Sequence, residues 1–323
     1  MRLISARSLF AAGALATLTS LASAQSYPDR AVKLIVPTAP GGSIDITARV
    51  IADKLREKWG KPVVVENRPG AAMRIGAEAV QKAAPDGYTL LVAHDGTLAM
   101  NPLVFSDLSY DPQKDFTPLG LVVSIAEALM VNKSVPVNSI AELVTLAKQR
   151  PGELTHASGG AATLLALELF KAMAGVNIRS IPYKGGAPAV TATISGETSM
   201  IIADLTTGAA ALHSDRMRPL AVTSMQRSKK YPDLPTMDEA GIRGYEVNTW
   251  VGLVGPANMP REIVAAIESA IREAVALPDV RARFEGNAAT VRSGTADELR
   301  TVLATDIAKW AKLVKENNIK FSN

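Results

Sequence analysis

The sequence predicts an α/β protein built as two lobes. Strand-like and helix-like segments alternate twice along the chain, over 31–93 and again after 135. Glycine-rich turns stand between strand and helix in both runs. No low-complexity linker separates the runs, so two rigid halves with a cleft between them are expected. The length of 323 residues agrees, at roughly 150 residues per domain.

The first run opens with a predicted strand at Lys33–Val36, rich in β-branched residues and ended by Pro37-Thr38-Ala39-Pro40-Gly41-Gly42. A helix is predicted from Ser43, because Ile44, Ala48, Ile51, Ala52 and Leu55 fall on one helical face. Val63–Val65 reads as a short buried strand, and Asn67-Arg68-Pro69-Gly70 as a turn. Ile75, Ala79, Val80 and Ala83 have helical spacing, and Tyr88–Ala93 reads as a strand. This β-α-β-α-β order implies a parallel sheet with right-handed crossovers.

In the second run Ile140, Leu143, Val144 and Ala147 predict a helix, stopped by Pro151-Gly152. A strand at Leu154–Ala157 leads through Ser158-Gly159-Gly160 into a helix with the face Ala162, Leu165, Ala166, Leu169 and Met173. A strand at Ile178–Tyr183, a helix over 187–194 and strands at Met200–Ala203 and Leu220–Thr223 complete it. The last third reads as a strand at Asn248–Val254, then helices. Pro260 suits a helix's first turn, and Thr295-Ala-Asp-Glu298 reads as a capping box before a helix burying Leu299, Leu303, Trp310 and Val314.

Composition narrows the chemistry. With no cysteine and three histidines, neither a thiolate nucleophile nor a Cys- or His-rich metal site is expected. The net charge of +4 and the 5% aromatic content offer no platform for nucleic acid. Residues 1–24 carry Arg2 and Arg7, an apolar stretch from Leu9 and a final Ala22-Ser23-Ala24. That pattern predicts a signal peptide cleaved before Gln25, and hence export to the periplasm.

Four turns gather small residues: Ala39–Ser43, Ala93–Thr97, Ser158–Ala161 and Lys184–Ala187. Helix N-termini offer free amides and partial positive charge, and glycine lets a ligand approach the backbone. Several such ends facing one cleft would hold an anion without any Arg or Lys. A single glycine-rich turn is most often only a turn. Enzyme signatures are thin. No Gly-x-Gly-x-x-Gly or P-loop occurs, so no cofactor is expected. Ser158 lacks the glycine two residues before it that a nucleophile elbow needs, since His156 stands there. His94 beside Asp95 is the one pair that an α/β hydrolase-like enzyme could use. Thr97 follows it in the same turn. Asp45, Asp95 and Asp204 lie at turns or first helical positions, where capping or contact with a ligand donor would each explain an acid.

The runs Ala31-Val-Lys-Leu-Ile-Val-Pro-Thr-Ala-Pro-Gly-Gly-Ser-Ile-Asp45, Val65-Glu-Asn-Arg-Pro-Gly-Ala71 and Ala84-Pro-Asp-Gly-Tyr-Thr-Leu-Leu91 resemble the Bug (TctC-type) family. So do Tyr110-Asp-Pro-Gln-Lys-Asp-Phe116, Pro182-Tyr-Lys-Gly-Gly-Ala-Pro-Ala189, Leu220-Ala-Val-Thr-Ser224 and Asp233-Leu-Pro-Thr-Met-Asp-Glu-Ala-Gly241. These are extracytoplasmic solute-binding proteins of tripartite tricarboxylate transporters. The resemblance spans residues 27–323. It implies a two-lobed periplasmic-binding-protein fold of the type II, Venus-flytrap kind. Lobe 1 would comprise 25–122 and 226–323 and lobe 2 would comprise 123–225, with crossings near 121–126 and 224–250. It also implies a small carboxylate ligand held by backbone amides and waters, delivery to membrane permease subunits, and a monomer. Carried over residue by residue, the site would include Ala39, Gly41, Gly42, Ser43 and Asp45. On the other lobe it would include Ser158, Gly159, Gly160, Thr163, Tyr183, Gly185, Gly186 and Asp204. His94, Asp95 and Thr97 join these from the turn reading.

The sequence departs from the family pattern in places. Ala72, Met73 and Arg74 follow Ala71, where the family usually has Gly-Gly. Ser158 replaces a usual Gly, Ala161 and Ala162 stand where hydroxyl residues are common, and Leu164 replaces a frequent His. The usual Phe-Asp-Asn is Ile202-Ala203-Asp204. A partner of a membrane receptor, sensing rather than transporting, fits the same sequence.

Overall fold

The computed structural model describes residues 27–319, so the predicted signal peptide 1–24 lies outside the described residues. The first run forms β1 (Val32–Val36), α1 (Ser43–Trp59), β2 (Val63–Asn67), α2 (Arg74–Gln81) and β3 (Thr89–His94). β1 pairs in parallel with both β2 and β3. All five residues of the expected α1 stripe are buried, and Gly60, left-handed at φ 61°, stops the helix. Two expectations fail in detail. β2 is an edge strand, with Val64 47% exposed rather than buried. α2 turns Gly76, Ala77 and Val80 inward and leaves Ile75 exposed. A Cβ at Gly76 would stand 2.8 Å from Pro37, so this close approach sets the rotation of the helix.

A π-helical turn at Gly96–Met100 and a short α3 (Asn101–Val104) lead to β4 (Phe116–Asn132). Sequence periodicity misses β4, because a strand with both faces covered has no alternation to detect. The second run follows as α4 (Ile140–Gln149), β5 (Thr155–Ser158), α5 (Ala161–Ala174), β6 (Arg179–Pro182), α6 (Gly186–Ser195), β7 (Met200–Asp204), α7 (Ala209–Leu212) and β8 (Met217–Val222). β5 pairs in parallel with β6 and β7. The chain ends in β9 (Asn248–Pro256), α8 (Arg261–Ala276), α9 (Pro278–Gly286), β10 (Ala289–Val291) and α10 (Ala296–Glu316).

The sheet is mixed, not parallel throughout. Its order is β2-β1-β3-β9-β4-β7-β5-β6, and β8 and β10 also pair with β4. β9 runs antiparallel to β3 and β4 and so closes the first parallel unit. β4 changes partners within its length. Phe116 to Ala126 pairs with β9, and Glu127 onward pairs with β7. Ala126–Glu127 is thus the point where one half-sheet hands over to the other.

Smaller corrections have local causes. Met173 faces outward at the rim of α5. Pro260 precedes α8 as its N-cap. Thr295 caps α10 by accepting from the Glu298 amide at 3.2 Å. The Glu298 carboxylate turns to Arg292 and the Ser293 amide instead of returning to Thr295, which makes half a capping box. Leu299, Leu303 and Trp310 are buried as expected, whereas Val314 is only partly covered.

Candidate ligand-binding site

A cavity of ≈ 590 Å³, its mouth included, opens where the two half-sheets meet. Three helices begin on it. Thr38, Ala39, Gly42, Ser43 and Ile44 come from the turn into α1. Gly159, Gly160, Ala162 and Thr163 come from the turn into α5, and Gly185 to Pro188 from the turn into α6. The strands supply His94 (β3), Glu127 (β4), Ala203 and Asp204 (β7) and Thr249 (β9). Met73 and Thr207 complete the lining.

Gly42, Gly160 and Gly185 are the three N-caps, and none of them provides a side-chain hydrogen bond to its helix. Ordinarily a Ser, Thr or Asp there would satisfy one of the first free amides. Here the ends keep their partial positive charge and most of their free amides; in α1 the first amide, that of Ser43, is taken by Thr207. The turns are packed tightly together. A Cβ on Gly159 would lie 2.6 Å from the Gly185 and Gly186 backbone, and one on Gly186 would lie 2.9 Å from Thr207. The Ser43 amide donates to Thr207 Oγ1 (2.9 Å), and the Ser43 hydroxyl donates to Asp204 Oδ2 (3.0 Å). The Thr206 and Thr207 amides donate to Asp204 Oδ1. Asp204 therefore ties the first turn to the end of β7. Burial raises its carboxyl pKa, and these hydrogen bonds offset only part of that.

The other expected site residues occupy different places. Gly41 and Asp45 stand behind the first turn. Asp45 accepts from the Gly41 amide (3.0 Å), from Arg49 and from Asn67, and so holds the turn's shape. Burial pushes its carboxyl up, but the bonds from Arg49, Asn67 and Gly41 outweigh this and hold it below the usual range. Asp95 and Thr97 are fully buried outside the cavity lining. Ser158 is buried under its turn. Tyr183 lines the neighbouring cavities and donates to Glu197 (2.8 Å).

Neither His94 nor His156 is arranged for hydrolysis. His94 Nδ1 accepts from the Gly96 amide at 2.7 Å and also lies 3.0 Å from Asp95 Oδ1. A proton on Nδ1 would serve the carboxylate and break the amide bond, so the two contacts compete. His156 accepts from the Ile202 amide at Nε2 (2.9 Å), which leaves Nδ1–H to donate to Ser158 Oγ (3.0 Å). A general base must accept the serine proton, and this imidazole donates instead. Burial first, then Lys171, lowers the His156 pKa to about 3, so the ring is neutral.

Periodicity and turn motifs pass over Thr38, Met73, Glu127, Thr207 and Thr249. Glu127 is legible in hindsight as a single carboxylate within the apolar run from Leu119 to Val131. It is 1% exposed, and Thr249 donates to its Oε1 at 2.9 Å. Burial, then Asp95 and Asp204, push its pKa up to about 8. Met73 follows Ala71 and Ala72, and all three have positive φ (46°, 51° and 73°). Its sulfur lies 2.8 Å from His94 Nε2, and its methyl group covers Gly160. No Lys or Arg lines the cavity. Among the described residues, no group of three or more His, Asp or Glu is placed to hold a metal ion, and no helix is long and apolar enough to cross a membrane.

Residues 47–319 match the tripartite tricarboxylate transporter family receptor, TctC. Protein BugT of Bordetella pertussis is 34% identical over 310 residues, covering 95% of each chain. The solved structure of R. palustris Rpa4515 with adipate is 35% identical, with a TM-score of 0.88 over 92% of this chain and 100% of that one. MatC of Rhodopseudomonas palustris with bound malate is 30% identical, with a TM-score of 0.86 over 89% of this chain and 100% of that one. These relatives are solute-binding proteins, not enzymes.

Proposed function

The chain belongs to the tripartite tricarboxylate transporter receptor family, and from that premise we propose that it captures a small organic carboxylate between its two lobes. One observation carries the reading: three glycine-capped helix N-termini, without side-chain caps, open on one cavity lined by no Lys or Arg. Backbone amides there would take the carboxylate oxygens. Thr38 adds a buried hydroxyl without a hydrogen-bond partner on the same wall. Adipate and malate in the two similar structures support a carboxylate.

The finer features belong to the same proposal. The lobes would be 25–122 with 226–323, and 123–225, joined where β4 changes partners. The leader 1–24 would send the chain to the periplasm as a monomer that delivers its ligand to the transporter's permease subunits. Ligand would stabilise a closed arrangement of the lobes.

The test is the thermal midpoint of the chain from Gln25 onward against small organic acids, with matched amides and alcohols. A ligand of the native state stabilises by mass action, so acids alone should raise the midpoint by several degrees. A Cβ at Gly42 meets only Thr207 Oγ1 at 3.5 Å, so Gly42→Val should fold and lose the shift by filling the mouth. No shift with any acid, together with conversion of a panel member, would overturn the reading.

A further inference from the structure

The cavity has two chemically opposite ends. Helix N-termini supply positive potential, while the strands β4 and β7 supply Glu127 and Asp204 at paired positions in the register. Asp204 has its oxygens engaged by Ser43, Thr206 and Thr207. Glu127 does not. Its Oε1 accepts from Thr249, while its buried Oε2 has no hydrogen-bond partner. A buried carboxyl oxygen left unmet keeps its full desolvation cost, which a ligand donor would remove.

We infer that the ligand is a carboxylate that also bears an ammonium group, and that Glu127 receives the ammonium at Oε2. The inference rests on the carboxylate reading above and names the second half of the ligand. The charges facing Glu127 favour it. Asp95 stands just past the end of β3, Asp204 lies across on β7, and Tyr245 approaches ahead of β9. His94, the nearest imidazole on the wall, directs Nε2 to the Met73 sulfur. A second ligand carboxylate could accept a hydrogen bond from protonated Glu127, but it would stand against Asp95 and Asp204, whose negative charge raises the Glu127 pKa. An ammonium would neutralise that charge and satisfy Oε2 in the same contact.

A proton balance follows. Without a counter-charge Glu127 keeps its proton to about pH 8. An ammonium beside it favours the carboxylate, so binding at pH 7 releases a proton to solvent. Affinity for such a ligand should rise about fivefold from pH 7 to pH 8, and about tenfold in all before it levels off above pH 9.

The experiment is titration calorimetry on the chain from Gln25 onward. The ligands are α- and ω-amino acids, with the dicarboxylate and the plain monocarboxylate of equal chain length. Titrations at pH 7 in two buffers of different ionisation heat count the protons released. The expected result is at least tenfold preference for one amino acid over its dicarboxylate counterpart, release approaching one proton, and loss of that preference in Glu127→Gln. Tighter binding of a dicarboxylate, binding of an amino acid without proton release, or an unchanged preference in Glu127→Gln would overturn the inference and leave carboxylate capture standing. Failure of every acid to bind would overturn both. Proton release by the unmutated protein decides the matter even if the variant does not fold.

Discussion

Ala71, Ala72 and Met73 are three consecutive left-handed residues without a glycine among them. Each such non-glycine residue costs roughly 1 kcal/mol. The departure from the family's Gly-Gly is visible in the sequence, but the backbone angles are not. Ala72→Gly should therefore stabilise the protein by about 0.5–1 kcal/mol, read as a higher urea midpoint, because relief of strain exceeds the added chain entropy. Met73→Ala keeps the backbone and removes the thioether from the cavity wall. About 2 kcal/mol of stability should be lost, and bulkier acids should gain affinity over small ones in calorimetry. Glu127 acts through protonation. The folded state holds the proton up to about 8 and the unfolded chain releases it near 4.5, so stability is full below 4.5 and falls as pH rises towards 8. Glu127→Gln, whose amide oxygen still accepts from Thr249, should raise the unliganded protein's melting temperature at pH 8 and leave it unchanged at pH 4. His156 works in the opposite direction. Its pKa falls from 6.5 to about 3 on folding, so stability is full above 6.5 and declines as pH drops towards 3. Nitrogen NMR should show one neutral, Nδ1-protonated ring down to pH 4.

At the scale of elements, the helices with a clean stripe were legible because burial on one side imprints a period on the sequence. α1 buries every residue its spacing names, and α4 buries Ile140, Leu143 and Ala147 and leaves Val144 partly covered. α2 is eight residues long, and its packing is set by Gly76 on Pro37, a contact that hydrophobicity does not encode. The glycine turns were legible as turns, but which glycine is needed for packing was not. The structure separates them. Gly159→Ala would drive a Cβ into the backbone of the turn before α6, so a loss of roughly 1–3 kcal/mol and of ligand affinity is expected. Gly42→Ala would make only an ordinary van der Waals contact with Thr207 Oγ1 at 3.5 Å, and φ is −86°, so its melting temperature should stay close to that of the unmutated protein.

For the whole molecule, the two parallel units were readable from local alternation, while the antiparallel strands that join them were not. β9 meets β4 across more than 120 residues of chain, with Ala126 opposite Asn248, and no local signal announces such a pairing. The site divides in the same way. Its three turns lie in glycine-rich sequence, whereas its strand-borne wall of Glu127, Asp204 and Thr249 needs the joined sheet to exist. β4 is paired along both edges for much of its length, by β9 and β10 and then by β7 and β8. Its amides should exchange hydrogen more slowly than those of the edge strands β2 and β6, which exchange measurements by mass spectrometry would check.

β4 also has a mechanical consequence. A loop between bodies bends freely, but a paired strand resists bending and yields most readily in twist. The pairing with β9 slips at Pro118/Gly120 and Leu121/Val123, and the pairing with β8 slips at Leu129/Met130. Those slips bracket the hand-over at Ala126–Glu127. The strand is therefore a torsion bar with its compliance placed at either side of a stiff central segment, and relative rotation of the halves would wind it about its own long axis. Glu127 sits on the stiff segment, so under such a rotation its carboxyl would keep a nearly fixed position.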